Sequence, residues 1–407
     1  MENEQTNKHF CALEISSRAV RLVYGFVYEG LVRVLHAVET NVDALKDGYV
    51  ETSDALTMAI KNVISSTNDA LKIKIKEVVL AVPPMGLCFA RESTTCTTID
   101  INNRIVQHDI NNCLSQLRKI KFNETTRVVD VIPYKYVLNN NETLYEPPLG
   151  KISSQLTVHA SIYGLENKLV DGYIKACTDA SLNVRQVVIS PLAASMYLPK
   201  NERIPSAYYL LNIGAKISIL TLINRGLIVQ NACFNFGGDK ITQSLSDKLR
   251  LSFKDAKMLK EKYGMDIEPS FKCPVFEKYS IRDISSVIQE AIDPLISSIG
   301  NKINAWSSLD HTINPIILTG GGSKLYGLKS LIEQKVQGIQ VLDFNPYSFG
   351  ARDKSFQNCL GMISYADKYL SKKDEDSYIK TSVSRVGNEK AKNSKGNTTS
   401  YRIEEEL

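Results

Sequence analysis

The sequence predicts an α/β protein of two similar lobes, with a small α+β unit inserted into the first. Three observations carry this. An apolar strand–turn–strand unit at Phe10 to Tyr24 recurs at Tyr208 to Leu222. Aligning Leu13-Glu14-Ile15-Ser16 with Leu211-Asn212-Ile213-Gly214 sets the two copies 198 positions apart, a sign of duplicated lobes. Between them, residues 83–163 form a separate strand-rich block. The chain has 407 residues, which suits two or three domains.

The elements follow in order. Phe10 to Tyr24 is interrupted by Ser16-Ser17-Arg18 and reads as two strands around a tight turn. Leu31 to Val38 follows Glu29-Gly30 as a third strand. Asp54 to Leu71 carries Ala55, Met58, Ala59, Val63 and Ile64 at helical spacing. Val78 to Val82 is a β-branched strand stopped by Pro83-Pro84. In the inserted block, strand-like sequence reaches Thr97, Ile105 to Ile120 is helical, and Arg127 to Val137 and Leu156 to Tyr163 alternate as strands. Asn139-Asn140-Asn141 marks a turn between them.

Leu165 to Ala180 is a helix and Val184 to Val188 a strand. After the second strand pair, Lys240 to Tyr263 reads as one helix opening after Gly237-Gly238. Ile281 to Trp306 is a long helix with an expected kink at Pro294. Ile316 to Leu318 is a buried strand leading into Thr319-Gly320-Gly321-Gly322-Ser323. Leu325 to Val336 and Ser355 to Leu370 are the last helices. From Ser371 the chain is polar and reads as a disordered tail.

Composition excludes several classes. Hydrophobic residues make up 43% and charged residues 23%, which suits a globular core. The formal net charge is +5, without the basic patch and interleaved aromatics of a nucleic-acid binder. The eight cysteines are scattered, with no Cys-x-x-Cys, and the five histidines are equally dispersed. They read as buried thiols in a reducing compartment rather than metal ligands. Met1 to Phe10 has no apolar h-region, so no signal peptide is expected. No run approaches the roughly 18 apolar residues of a membrane helix.

The glycine run is the strongest site candidate. Glycines let a backbone approach a ligand closely, and a helix start offers unpaired N–H groups to oxygens. A strand-to-helix turn with no ligand explains the run equally well. It is not a Walker loop, because no Gly-Lys-Ser/Thr follows. The turns at Ser16-Ser17 and Gly214-Ala215, and Gly237-Gly238-Asp239 at a helix start, would converge with it between two lobes.

These segments, in this order, resemble the bacterial cell-division family FtsA, actin-like ATPases that tether the tubulin-like protein FtsZ to the membrane. The resemblance lies in Ala12-Leu13-Glu14-Ile15-Ser16-Ser17, Glu146-Pro147-Pro148-Leu149-Gly150, Pro191-Leu192-Ala193-Ala194, Phe236-Gly237-Gly238-Asp239-Lys240-Ile241-Thr242, Ala256 to Gly264 and Ile317 to Leu328. It implies an actin-like fold of duplicated ribonuclease-H-like domains. The first lobe would comprise 1–82 and 164–198, a 1C-type insertion 83–163, and the second lobe 199–370, with 244–305 as its outer subdomain. A polar tail would fill 371–407.

The resemblance also implies ATP as ligand. Ser16, Ser17, Arg18, Gly214, Ala215 and Lys216 would cradle phosphates, with Gly237 and Gly238 beside them. Thr319, Gly320, Gly321, Gly322 and Ser323 would hold the adenosine, and Lys260 the ribose or base. Expected partners are the FtsZ carboxy-terminal peptide, docking on 244–305, and further copies in a filament. The expected place is the cytoplasm, at the division site, on the inner face of the cell membrane. A PilM-like pilus-assembly protein and an actin-fold sugar kinase are the alternatives.

Departures from the family qualify this. The family's first phosphate loop begins Asp-Ile-Gly and its second Asp-Ile-Gly-Gly-Gly-Thr-Thr. Here they read Glu14-Ile15-Ser16 and Asn212-Ile213-Gly214-Ala215-Lys216-Ile217-Ser218. The two aspartates would organise Mg²⁺, which demands hard anionic oxygens in strict geometry. Glu14 and Asn212 therefore predict a degenerate metal site, and binding of ATP rather than its turnover. Lys257 stands where the family has an acid. Arg18 and Lys216 have two readings: they take the place of the metal at the phosphates, or Lys216 points into solvent from its turn. The ending Tyr401 to Leu407 has three consecutive acids, and Lys390 to Lys395 is a short basic stretch. Neither makes the amphipathic membrane helix with which the family usually ends.

Overall fold

The computed structural model describes residues 8–51, 53–198, 204–265, 274–307 and 314–370. The tail and its charge runs lie outside them. Two five-stranded sheets dominate. The first runs, edge to edge, Asn183–Ile189, Glu77–Val82, Phe10–Ile15, Ala19–Tyr28 and Leu31–Asn41. The second runs Val341–Asp343, Ile316–Thr319, Ala207–Ile213, Ser218–Asn224 and Leu227–Phe234. Each is a three-stranded antiparallel meander beside two parallel strands. Ile15 faces Val20 in one hairpin and Ile213 faces Ser218 in the other, so the spacing of 198 holds at residue level.

The central strand Phe10–Ile15 is buried at every position. It lies between two neighbours with both faces covered, which is why its sequence is continuously apolar rather than alternating. The helix Asp54–Leu71 starts where the Ser53 hydroxyl accepts from the Leu56 N–H at 3.1 Å, an N-cap. It ends at Lys72, whose φ is 56°. Leu56, Ala59, Ile60 and Val63 cover the sheet.

The inserted unit has its own sheet, Cys88–Thr97, Gln155–Glu166, Thr126–Leu138 and Thr143–Leu144, with the helix Gln107–Leu117 against it. Ile105, Ile110, Cys113, Tyr136, Leu156 and Val158 form its separate core. The described cysteines are all free thiols; burial pushes that of Cys177 up to about 12.

Several expectations need correction. Lys240 to Tyr263 is two helices, Gly238–Leu249 and Phe253–Tyr263. Arg250 takes a left-handed φ of 54°, and Ser252 caps the second helix by accepting from the Asp255 N–H at 3.1 Å. The helix expected from Ile281 to Trp306 is present as Ile281–Ser307, with Pro294 inside it. The strands Leu227–Phe234 and Val341–Asp343 and the short helix Ser190–Met196 went unread. The second lobe does not own everything up to residue 370. The helix 357–370 buries Cys359, Leu360, Met362, Ile363, Ala366 and Leu370 in the core of the first sheet.

That returning helix also anchors the inserted unit. The Tyr365 hydroxyl donates to the buried Asp130 carboxylate, 2.8 and 2.7 Å from its two oxygens. Burial, and then the Asp130 charge, push the phenol well above its ordinary pKa, so it remains a donor at neutral pH. Tyr365→Phe is expected to lower unfolding stability by about 1.5–3 kcal/mol, the usual worth of a hydrogen bond to a buried charge. Urea denaturation checks this; an unchanged midpoint counts against it.

Candidate functional site

Between the lobes lies a cleft of about 1150 Å³. The two duplicated hairpin turns face each other across it. In the first, the Ser16 N–H donates to Ala19 O at 2.9 Å, and the Ser16 hydroxyl donates to the same oxygen at 2.8 Å. In the second, the Gly214 N–H donates to Ile217 O at 2.9 Å. A Cβ on Gly214 would lie 2.8 Å from that carbonyl oxygen, so only glycine closes this turn without strain.

The helix Gly238–Leu249 starts against the second hairpin. Gly237 lets it approach, since a Cβ there would collide with the Ala215 backbone. The Gly238 and Asp239 N–H groups donate to Gly214 O and Ala215 O at 2.9 and 2.8 Å. Those two donors of the helix start are therefore spent on the hairpin. Lys260 donates to Gly238 O and Thr242 Oγ1, both at 2.9 Å. Its ammonium braces the two helices, and burial lowers its pKa.

The glycine run divides by role. Gly320 has φ 80° and ψ 166°, a region essentially reserved for glycine. A Cβ on Gly320 would lie 2.7 Å from Asn212 Oδ1, and one on Gly322 would lie 2.5 Å from Ile213 Cγ2. Those two glycines serve packing. A Cβ on Gly321 would meet nothing within 4 Å, and Gly321 lines the cleft. The Ser323 hydroxyl turns back to Gly320 O at 2.7 Å.

Of the residues nominated from sequence, Glu14, Ser16, Ser17, Arg18, Asn212, Gly214, Ala215, Gly238, Lys260, Thr319, Gly320, Gly321 and Gly322 line the cleft. Lys216 bridges the two lobes beside it, and Gly237 and Ser323 support its wall. Sequence reading missed Arg21, Glu39, Asp43, Lys324, Asp353 and Asn358, which also line it. The carboxyl of Asp353 is penalised by burial, but hydrogen bonds from Lys324 and Ser355 prevail and hold it at about 2.

The expected Mg²⁺ ligands, Glu14 and Asn212, lie in the cleft wall with neighbours of their own. Glu14 accepts from Asn358 Nδ2 at 2.6 Å and pairs with Arg21 at 3.5 Å. Arg21 also pairs with Glu39. The side-chain oxygen of Asn212, which carries no charge, lies against Gly320. Among the described residues no three His, Cys, Asp or Glu side chains gather to hold a metal ion. Mg²⁺ prefers hard anionic oxygens; with Glu14 paired to Arg21 and Asn358, and Asn212 uncharged, these two residues do not fit it.

Lys216 does not point into solvent. It reaches across the cleft to the Asp43 carboxylate and donates to Leu45 O at 2.7 Å. Arg18 crosses in the other direction, 2.8 Å from Asp239, and also contacts Asp43 at 3.3 Å. Two cations and two acids thus link the two lobes. Asp43 follows the strand Leu31–Asn41 in a loop with no local motif, which is why sequence reading overlooked it.

Two matched sheets, facing hairpin turns and an interlobe cleft define a two-lobed protein of the actin class. Solved structures agree: the chain aligns with a protein of the PilM–PilN type IV pilus biogenesis complex at TM-score 0.59 and 17% identity, covering 89% of this chain and 99% of that one. It aligns with ADP-bound MreB5 of Spiroplasma citri at TM-score 0.52 and 13% identity, covering 90% and 98%. These likenesses are of fold. The family model "Cell division protein FtsA" matches residues 209–361, and "SHS2 domain inserted in FTSA" matches residues 91–163. FtsA of Streptococcus pneumoniae is 23% identical over 368 residues, 88% of this chain and 80% of the relative. FtsA of Staphylococcus epidermidis is 21% identical over 367 residues (88% and 78%), and that of Bacillus subtilis 18% over 372 (88% and 84%). The chain is a divergent member of the FtsA family, and its role is in cell division.

Proposed function

We propose that the protein is a cell-division scaffold that binds ATP in the interlobe cleft and hydrolyses it weakly or not at all. The observation that carries this is the meeting of both hairpin turns and the open face of Gly321 in one cleft, in a chain of the FtsA family. The adenosine would lie along Gly320 to Gly322 and the phosphates between the hairpins. Phosphoryl transfer depends on metal and positioning, and Glu14 is already committed to Arg21 and Asn358. Binding therefore survives where turnover fails.

The same reading makes FtsZ the partner. Its carboxy-terminal peptide would dock on the outer subdomain at 244–305, copies of the chain would associate head to tail, and both would act at the division site. No helix among the described residues is long and apolar enough to cross a membrane. Fluorescence anisotropy with a labelled FtsZ carboxy-terminal peptide tests the reading. Micromolar binding is expected. No binding at about 100 μM, where the interaction would be worth less than about 5.5 kcal/mol, would overturn the FtsZ assignment.

A further inference from the structure

We propose that the cleft takes ATP without a divalent cation, with Arg18 and Lys216 leaving Asp239 and Asp43 to bind the phosphates in the metal's stead. This rests on the nucleotide reading above and sharpens its ligand to the metal-free tri- or diphosphate. Elsewhere a bound metal neutralises phosphate charge. Here the acids that would hold one are absent or engaged, and the cations stand on the phosphate turns themselves. Arg18 is in the first hairpin turn and Lys216 in the second, so each lobe contributes one positive charge.

Both cations already reach across the cleft. Arg18 meets Asp239 at 2.8 Å and Asp43 at 3.3 Å, and Lys216 meets Asp43 and Leu45 O. Without ligand, these ion pairs join the lobes. They are also easily exchanged. Each pair has one well-exposed member, Arg18 at 45% and Asp43 at 54%, beside Asp239 at 24% and Lys216 at 27%, and pairs open to solvent on one side contribute little. A polyphosphate offers charge-assisted, multidentate contacts to the same donors. Phosphates therefore compete well for Arg18 and Lys216, and the ligand takes over the link between the lobes. Asp43 becomes the competitor that limits affinity.

Isothermal titration calorimetry on the full chain decides this, with ATP and adenosine each titrated in Mg²⁺ and in EDTA. ATP affinity is expected to agree within about twofold between the two buffers. Lys216→Gln is expected to weaken ATP about tenfold and leave adenosine unchanged, the scale of one lost charged hydrogen bond. Asp43→Asn is expected to tighten ATP about threefold by releasing Lys216. A tenfold or greater loss of ATP affinity in EDTA overturns the proposal, as does a Lys216→Gln effect equal for ATP and adenosine. If neither ligand binds in either buffer, the nucleotide reading itself falls, and this inference with it.

Discussion

Gly361→Ala is expected to destabilise the protein by about 3 kcal/mol or more, the cost of forcing a methyl into a filled site. A Cβ on Gly361 would overlap the Ala193 carbonyl, with the Ala194 nitrogen 3.2 Å away. Backbone, unlike the end of a flexible side chain, cannot step aside. The helix 357–370 would have to lift from the helix Ser190–Met196, and three connections would loosen with it. Asn358 would leave Glu14, Gln357 would leave Ala194 O, and Tyr365 would leave Asp130. The effect would therefore reach the cleft and the inserted unit together. Thermal melting and urea titration of the variant check it. A midpoint equal to the parent's would show that the two helices can separate freely.

Much of this architecture was legible because it is written locally. The hairpins around Ser16-Ser17-Arg18 and Gly214-Ala215-Lys216 need only apolar strands and a turn, and their spacing of 198 holds in the pairing of Ile15 with Val20 and Ile213 with Ser218. The break at Arg250 was hidden because apolar spacing continues past it. Its signal was Ser252 three residues before Asp255, a capping pattern. The return of the helix 357–370 to the first lobe had no local signal at all. Its apolar face fits any core, and only tertiary packing decides which. The same holds for Asp43, whose role exists because Lys216 and Arg18 reach it from elsewhere in the chain. The glycine run gave a true indication of a special turn, but the letters cannot say which glycine serves the fold and which faces the cleft.

Gly321→Val separates those roles, and it is expected to fold with the parent's stability while losing about a hundredfold in ATP affinity. Its added carbons enter the cleft, where one displaced methylene in a pocket is worth about 10–200-fold. Gly320→Ala should behave in the opposite sense. Its φ of 80° disfavours any side chain, and its Cβ would press on Asn212 Oδ1 and Ile213 O at 2.7 and 2.8 Å. It should lose about 1–3 kcal/mol of stability from the backbone alone. Gly322→Ala should follow Gly320 rather than Gly321, through Ile213. Melting curves and ATP titrations on the three variants give a two-way test. If Gly321→Val binds ATP as tightly as the parent, the adenosine does not lie on this turn, whatever the phosphates do at Arg18 and Lys216. If Gly321→Val unfolds like Gly320→Ala, the run is a packing device at all three positions. The contrast works because the adjacent glycines share one turn after the strand Ile316–Thr319. Any general weakening of the lobe would move all three together, whereas a ligand on the open face moves only the middle one.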